Sequence, residues 1–150
     1  MGFLKHLFET TAIYAKRDVP KFEDYMRFGT QKFDRGDYEG AIADYSIAIE
    51  ANPVGPAGWG ARAAAKDKIG DLAGAIEDLN HQIDLIGSLG RGMEIPLALL
   101  LVRRGTLSVR LKHYDDAFKD YKLATTLCPD NAEFEAGLEI IQAQLNSRNK

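Results

Sequence analysis

A self-similarity that returns about every 34 residues constrains this chain more than any other feature. The segment GDYEGAIADYSIAIEANP, Gly36 to Pro53, recurs as GDLAGAIEDLNHQIDLIG, Gly70 to Gly87, one period on. A third copy, KHYDDAFKDYKLATTLCP (Lys112 to Pro129), follows after the same period enlarged by eight. The loop around SLGRGME, Ser88 to Glu94, is expected to hold the extra residues. A unit this short cannot bury its apolar face alone, so the copies must stack and share one continuous core.

Inside each unit the periodicity is helical. Tyr25, Phe28, Gly29 and Phe33 share one face, and Gly36-Asp37 supplies a stop and a turn. Tyr38, Ala41, Ile42, Tyr45, Ala48 and Ile49 then form a second stripe that ends at Asn52-Pro53. Each unit is a helix, a short turn, a second helix and a proline or glycine break. No sustained alternation marks a strand. Small residues repeat in register, Gly29, Ala63 and Gly105 on the first helices and Ala41, Ala75 and Ala117 on the second. They let backbones approach, while Tyr25, Trp59 and Leu101, with Tyr45, Leu79 and Tyr121, are expected to fill the space between. On this reading Trp59 belongs to the core.

The pattern resembles the tetratricopeptide repeat (TPR). The resemblance covers residues 22–53, 56–87 and 98–129 and rests on Trp59, the Gly/Ala registers, the Gly36-Asp37-Tyr38 turn and the closing Pro53 and Pro129. The second copy departs with Gln82 and Gly87, the third with Lys112-His113 in place of Gly-Asp. Residues 131–146 carry Phe134, Leu138, Ile141 and Leu145 on one stripe against a polar remainder, as a capping helix requires. The resemblance implies an all-α solenoid, a right-handed superhelix of antiparallel helix pairs. The expected organisation is an amphipathic extension (1–20), a three-repeat domain with its cap (21–146) and a tail (147–150).

Composition narrows the function. Hydrophobic residues are 45% and charged residues 27%, and a net charge of −3 leaves no basic surplus for nucleic-acid phosphates. The single cysteine, Cys128, fits a reducing compartment. The N-terminal apolar patch is broken by Lys5, His6 and Glu9, and the run Ile95–Val102 is far short of the ~20 residues of a membrane helix. These features point to a cytoplasmic chain that does not enter a membrane. The three histidines, His6, His81 and His113, sit in different elements without the spacing of a helical metal site. Neighbouring carboxylates such as Glu77-Asp78 point in different directions, and Gly87, Gly90 and Gly92 lack the context of a phosphate loop. No catalytic residue, metal site or cofactor is expected.

A charge pattern follows the repeats: Asp44, Asp78 and Asp120 share one register, Arg62 and Arg104 another. Structural ion pairs are expected, either between units (Asp44–Arg62, Asp78–Arg104) or within them (Arg62–Asp78, Arg104–Asp120).

The resemblance also implies a concave groove lined by the first helices, which binds peptides or helices of other proteins. The matching positions are Glu23, Met26, Thr30, Phe33 and Asp34 in the first unit and Ala57, Gly60, Ala64, Asp67 and Lys68 in the second. The third contributes Leu99, Val102, Thr106, Val109 and Arg110. Chaperone-binding members use a clamp of Lys and Asn, then Asn, then Lys and Arg. Here the places hold Met26, Thr30, Ala61, Leu99 and Arg103, so only the arginine matches. That argues against the acidic C-terminus of Hsp70 or Hsp90 as partner.

The expected groove is apolar at both ends and small in the middle. Gly58 and Gly60 either make room for an inserted side chain or mark a frayed helix start. PLALLLV, Pro96 to Val102, is apolar all round, so a partner, a second copy or the N-terminus is expected to cover it. Phe3, Leu4, Leu7, Phe8, Thr11 and Ala15 share a helical face, so residues 3–16 are candidates for that cover. The functional expectation is a non-catalytic adaptor that binds another protein. The alternatives are a small TPR chaperone for secreted proteins and a regulatory enzyme subunit.

Overall fold

The computed structural model describes residues 21–148. Seven helices fill them: α1 (Phe22–Asp34), α2 (Tyr38–Ala51), α3 (Pro56–Lys68), α4 (Leu72–Ser88), α5 (Glu94–Arg110), α6 (Tyr114–Leu127) and α7 (Ala132–Arg148). No strand occurs among the described residues. Each helix packs chiefly on its neighbours in sequence, with α1 also touching α3, so the pairs α1–α2, α3–α4 and α5–α6 stack in chain order. The extension with its expected helix 3–16 lies outside the described residues. The final helix runs to Arg148, past the expected boundary at 146.

Local chemistry sets the boundaries. At the start of α1 the Lys21 N–H donates to Asp24 Oδ2 (3.1 Å) and Arg27 to its other oxygen. These bonds hold the Asp24 carboxyl below its ordinary pKa. The turns inside the first two pairs are alike. Gly36 and Gly70 both sit at φ 82°, and Asp37 and Asp71 accept the N–H groups of Gly40 and Gly74, each at 2.9 Å. The third pair keeps the geometry without the residues. Lys112 takes φ 61°, where a side chain is strained, and His113 makes no side-chain cap. Lys112→Gly with His113→Asp is therefore expected to add about 2 kcal/mol and raise the melting temperature by about 6 °C. A calorimetric scan showing no rise would mean the third turn is already relaxed.

The eight inserted residues go mostly into helix rather than loop. Helix α4 is 17 residues against 14 in α2 and α6, and α5 is 17 against 13 in α1 and α3. The connection Leu89–Met93 is one residue longer than Asn52–Gly55. Apolar residues on both sides of the insertion, Leu85 and Ile86 before it and Ile95 after it, keep the helical pattern running.

The core is a run of small residues and their large partners. Tyr45, 3% exposed, packs with Ala41 and Ala65, with Met26, Phe33 and Ala61 against them. A methyl group on Gly29 would stand 2.6 Å from the Tyr45 ring, and one on Gly105 or Gly137 within 2.9 Å of the Tyr121 ring. Tyr121 is thus held between two glycines. The second unit uses Ala63 and Leu79 instead, both fully buried. Trp59 departs from the expectation: it is half-buried, donates to the Pro53 carbonyl (3.0 Å) and stacks on the exposed His81 with ring centroids 4.2 Å apart. Leu101, its counterpart, is 2% exposed. On α7 the registers of Leu101, Arg104, Gly105 and Ser108 hold Glu135, Leu138, Glu139 and Gln142, so the small residue that admits a close partner is lost there.

Candidate protein-binding surface

The expected groove residues all stay accessible on α1, α3 and α5. Glu23, Thr30, Asp34, Ala57, Lys68, Leu99, Thr106 and Arg110 are exposed; Met26, Phe33, Gly60, Ala64, Asp67, Val102 and Val109 are half-buried. Their roles differ from the sequence expectation in three ways.

First, the apolar residues at the α1 end are partly spoken for. Met26 and Phe33 lean on the cluster of Ala41, Tyr45 and Ala65, and the Phe33 ring meets Tyr38 edge-on at 5.2 Å. At the α5 end Val102 packs on the cluster of Ala98, Leu101, Ala124 and Phe134. Of the all-apolar run, Ala98 and Leu101 are buried, whereas Leu99 remains 55% exposed.

Second, the space beside the glycines is filled from within. A methyl on Gly60 would stand 2.5 Å from the Gln82 amide, and one on Gly58 2.9 Å from Ile49. Helix α3 begins cleanly at Pro56. Neither an empty slot nor a frayed start accounts for the pair. Bulk has changed sides: the first and third units carry Met26 with Ala48 and Val102 with Ala124, the second carries Gly60 with Gln82. Gln82 Oε1 is buried without a hydrogen-bond partner among the described residues, so this swap trades polarity for fit.

Third, polar contacts tie the surface together. Arg110 on α5 pairs with Asp67 on α3, bridging two repeats across the face. Thr30 and Thr106 each donate to a carbonyl one turn back, and their hydroxyls lie 3.3 Å from Tyr45 Oη and 3.0 Å from Tyr121 Oη. The sequence expectation places these tyrosines in the core and misses that their hydroxyls reach the groove threonines. The equal spacing of the two Thr–Tyr pairs along the chain is the available clue.

Beneath the surface the charge pattern resolves to pairs within units. Arg62 donates to both oxygens of Asp78 (2.9 and 2.8 Å), and Arg104 to both of Asp120 (2.9 and 2.5 Å). The Asp120 hydrogen bonds push the Arg104 pKa further up. Each arginine uses its remaining nitrogen on the preceding repeat: Arg62 on Ser46 (2.9 Å), Arg104 on Asn80 (2.7 Å). Among the described residues Asp44 meets no arginine; Lys32 of its own unit lies 2.8 Å away. Lys66, at the same register, gives Asp78 a second cation at 3.0 Å. Among the described residues no group of His, Cys, Asp and Glu is arranged to hold a metal. Nor is any helix there long and apolar enough to cross a membrane.

The chain and its helix-pair fold are similar to known proteins. A family model described as tetratricopeptide repeat matches residues 98–131. Hsp70-Hsp90 organizing protein 2 of Arabidopsis thaliana is 27% identical over 144 residues, covering 91% of this chain and 24% of that protein. Tetratricopeptide repeat protein 36 of Danio rerio is 30% identical over 118 residues, covering 79% of this chain and 61% of its own length. The chain thus spans only part of either relative. Among solved structures, the first TPR of Spaghetti (RPAP3) bound to HSP90 peptide SRMEEVD superposes with a TM-score of 0.69 at 27% identity. That match covers 86% of this chain and 96% of the other.

Proposed function

We propose that this chain, a tetratricopeptide-repeat protein of three helix pairs and a capping helix, is a non-catalytic interaction module that binds an apolar segment of another protein along α1, α3 and α5. The observation that carries this reading is the composition of the face. Where a related domain binds the acidic peptide SRMEEVD, four of the five clamp positions here are Met26, Thr30, Ala61 and Leu99. A carboxylate set among them would lose its water and gain one cation, Arg103. An apolar side chain loses nothing there and covers Leu99 and Val102.

Two measurements on the full-length chain test the proposal. Calorimetric titration with SRMEEVD is expected to show no saturable heat, while the Spaghetti domain gives a binding curve under the same conditions. A photo-crosslinking amino acid at Thr106 is expected to yield a discrete adduct in the producing cells, and the same probe at exposed Glu77 on α4 is not. Equal adducts from both positions, or saturable binding of the acidic peptide, would remove the reading.

The adduct also separates the finer roles. An aggregation-prone export substrate marks a secretion chaperone, one stoichiometric enzyme a regulatory subunit, and a folded complex an adaptor. Twice the chain mass marks a homo-oligomer. Self-occlusion by residues 3–16, outside the described residues, belongs to the same proposal; deleting residues 1–20 should then raise the adduct yield. We place the module in the cytoplasm on the same footing.

A further inference from the structure

The eight residues that enlarge the third unit's spacing build a wall that the stack itself does not require. Four of them add a turn to the start of α5, about 6 Å at 1.5 Å per residue. That turn carries Ile95, 66% exposed, and one turn later stands Leu99, 55% exposed. A turn serving only to lengthen a helix would show polar residues to water. Facing these two, the end of α6, its connection and the first turn of α7 complete a groove of about 690 Å³, with Leu127, Pro129 and Phe134 among its lining.

Charge selects what enters. Asp130 and Glu133 line the groove, and no lysine or arginine among the described residues does. The α7 N-terminus, which would otherwise attract an anion, is already capped. Asn131 Oδ1 accepts the N–H groups of Glu133 (3.1 Å) and Phe134 (3.2 Å).

We propose that this end groove binds a segment of another protein that inserts one or two large apolar side chains flanked by Lys or Arg. Ile95, Leu99 and Phe134 receive the anchors, and the Asp130 and Glu133 carboxylates meet the flanking cations. This is a second surface, beyond the face proposed above: the two share Leu99, while Val102 and Thr106 do not line the end groove.

The test selects from a displayed library of random peptides, long enough for four helical turns, on the full-length chain. Enriched peptides are then synthesised and titrated by fluorescence anisotropy. They are expected to pair Phe, Leu, Ile or Trp with Lys or Arg within one turn. Ile95→Asp, and separately the double change Asp130→Lys/Glu133→Lys, should each weaken their binding at least about tenfold, with Glu77→Lys on α4 leaving it unchanged. All four substituted side chains are exposed, and circular dichroism of each variant checks that the helix content is kept. Enrichment of acidic peptides, no enrichment, or indifference to the charge reversal overturns the proposal. A tenfold gain on deleting residues 1–20 makes the chain's own segment the occupant. Self-association lost with Ile95→Asp makes it a second copy. Either result also overturns the proposal, while the SRMEEVD titration tests the face along α1, α3 and α5 separately.

Discussion

Asp78→Ala is expected to lower the free energy of unfolding by about 3 kcal/mol, a large share of the roughly 5–15 kcal/mol a domain has. Asp78 is 1% exposed and faces two cations, Arg62 and Lys66, whose side chains are only 18% and 15% exposed. Removing the carboxylate leaves both desolvated with no counter-charge, the situation in which a broken buried pair costs most. Arg62 also loses the anchor that aims its third nitrogen at Ser46, so the contact between the first two repeats weakens with it. Asp44→Ala is the internal control. Its partner Lys32 is 40% exposed and can return to water, so about 1 kcal/mol is expected. Urea denaturation measures both, with an unchanged slope showing that the unfolding reaction is the same. Equal costs at the two aspartates would show that burial of the cations does not set the energy.

Gly29→Ala is expected to destabilise by about 2 kcal/mol, although alanine in a helix interior normally gains about 1 kcal/mol over glycine. The added methyl would stand 2.6 Å from Tyr45 Cε1, and that ring is 3% exposed, with its hydroxyl 3.3 Å from Thr30 Oγ1. The ring has no open direction in which to yield. The chain carries its own remedy in the second unit, where alanine at this register, Ala63, meets Leu79. The double variant Gly29→Ala/Tyr45→Leu should therefore recover most of the loss, a coupling that a double-mutant cycle reads directly. If the double variant merely summed the two single losses, the glycine and tyrosine would not be packing as a unit.

Such in-chain comparisons explain what was legible beforehand. The helix pairs, the small-large registers and the apolar stripe of α7 are local or periodic properties. Three copies at one period display them without coordinates. The aspartate and arginine registers were visible too, but their pairing was not, because neighbours within and between units lie at similar distances along a solenoid. Ser46 and Asn80, at the same place in successive repeats, decide how each arginine spends its third nitrogen, and a lone polar residue carries no sign of that role in the sequence. The same holds for Gly60: its apparent vacancy depended on Gln82, which reaches it from the paired helix.

By itself the sequence determined the all-helical repeat, its stacking order and the position of its cap, since each follows from which residues recur and at what interval. Tertiary structure alone decided where the bulk goes. It turned the insertion into a longer α4–α5 pair, closed the slot at Gly60, drew Met26 and Phe33 onto the core and left Ile95 and Leu99 bare beside Phe134. Those outcomes depend on which side chain from a neighbouring helix reaches a given space first, and periodicity carries no information about that.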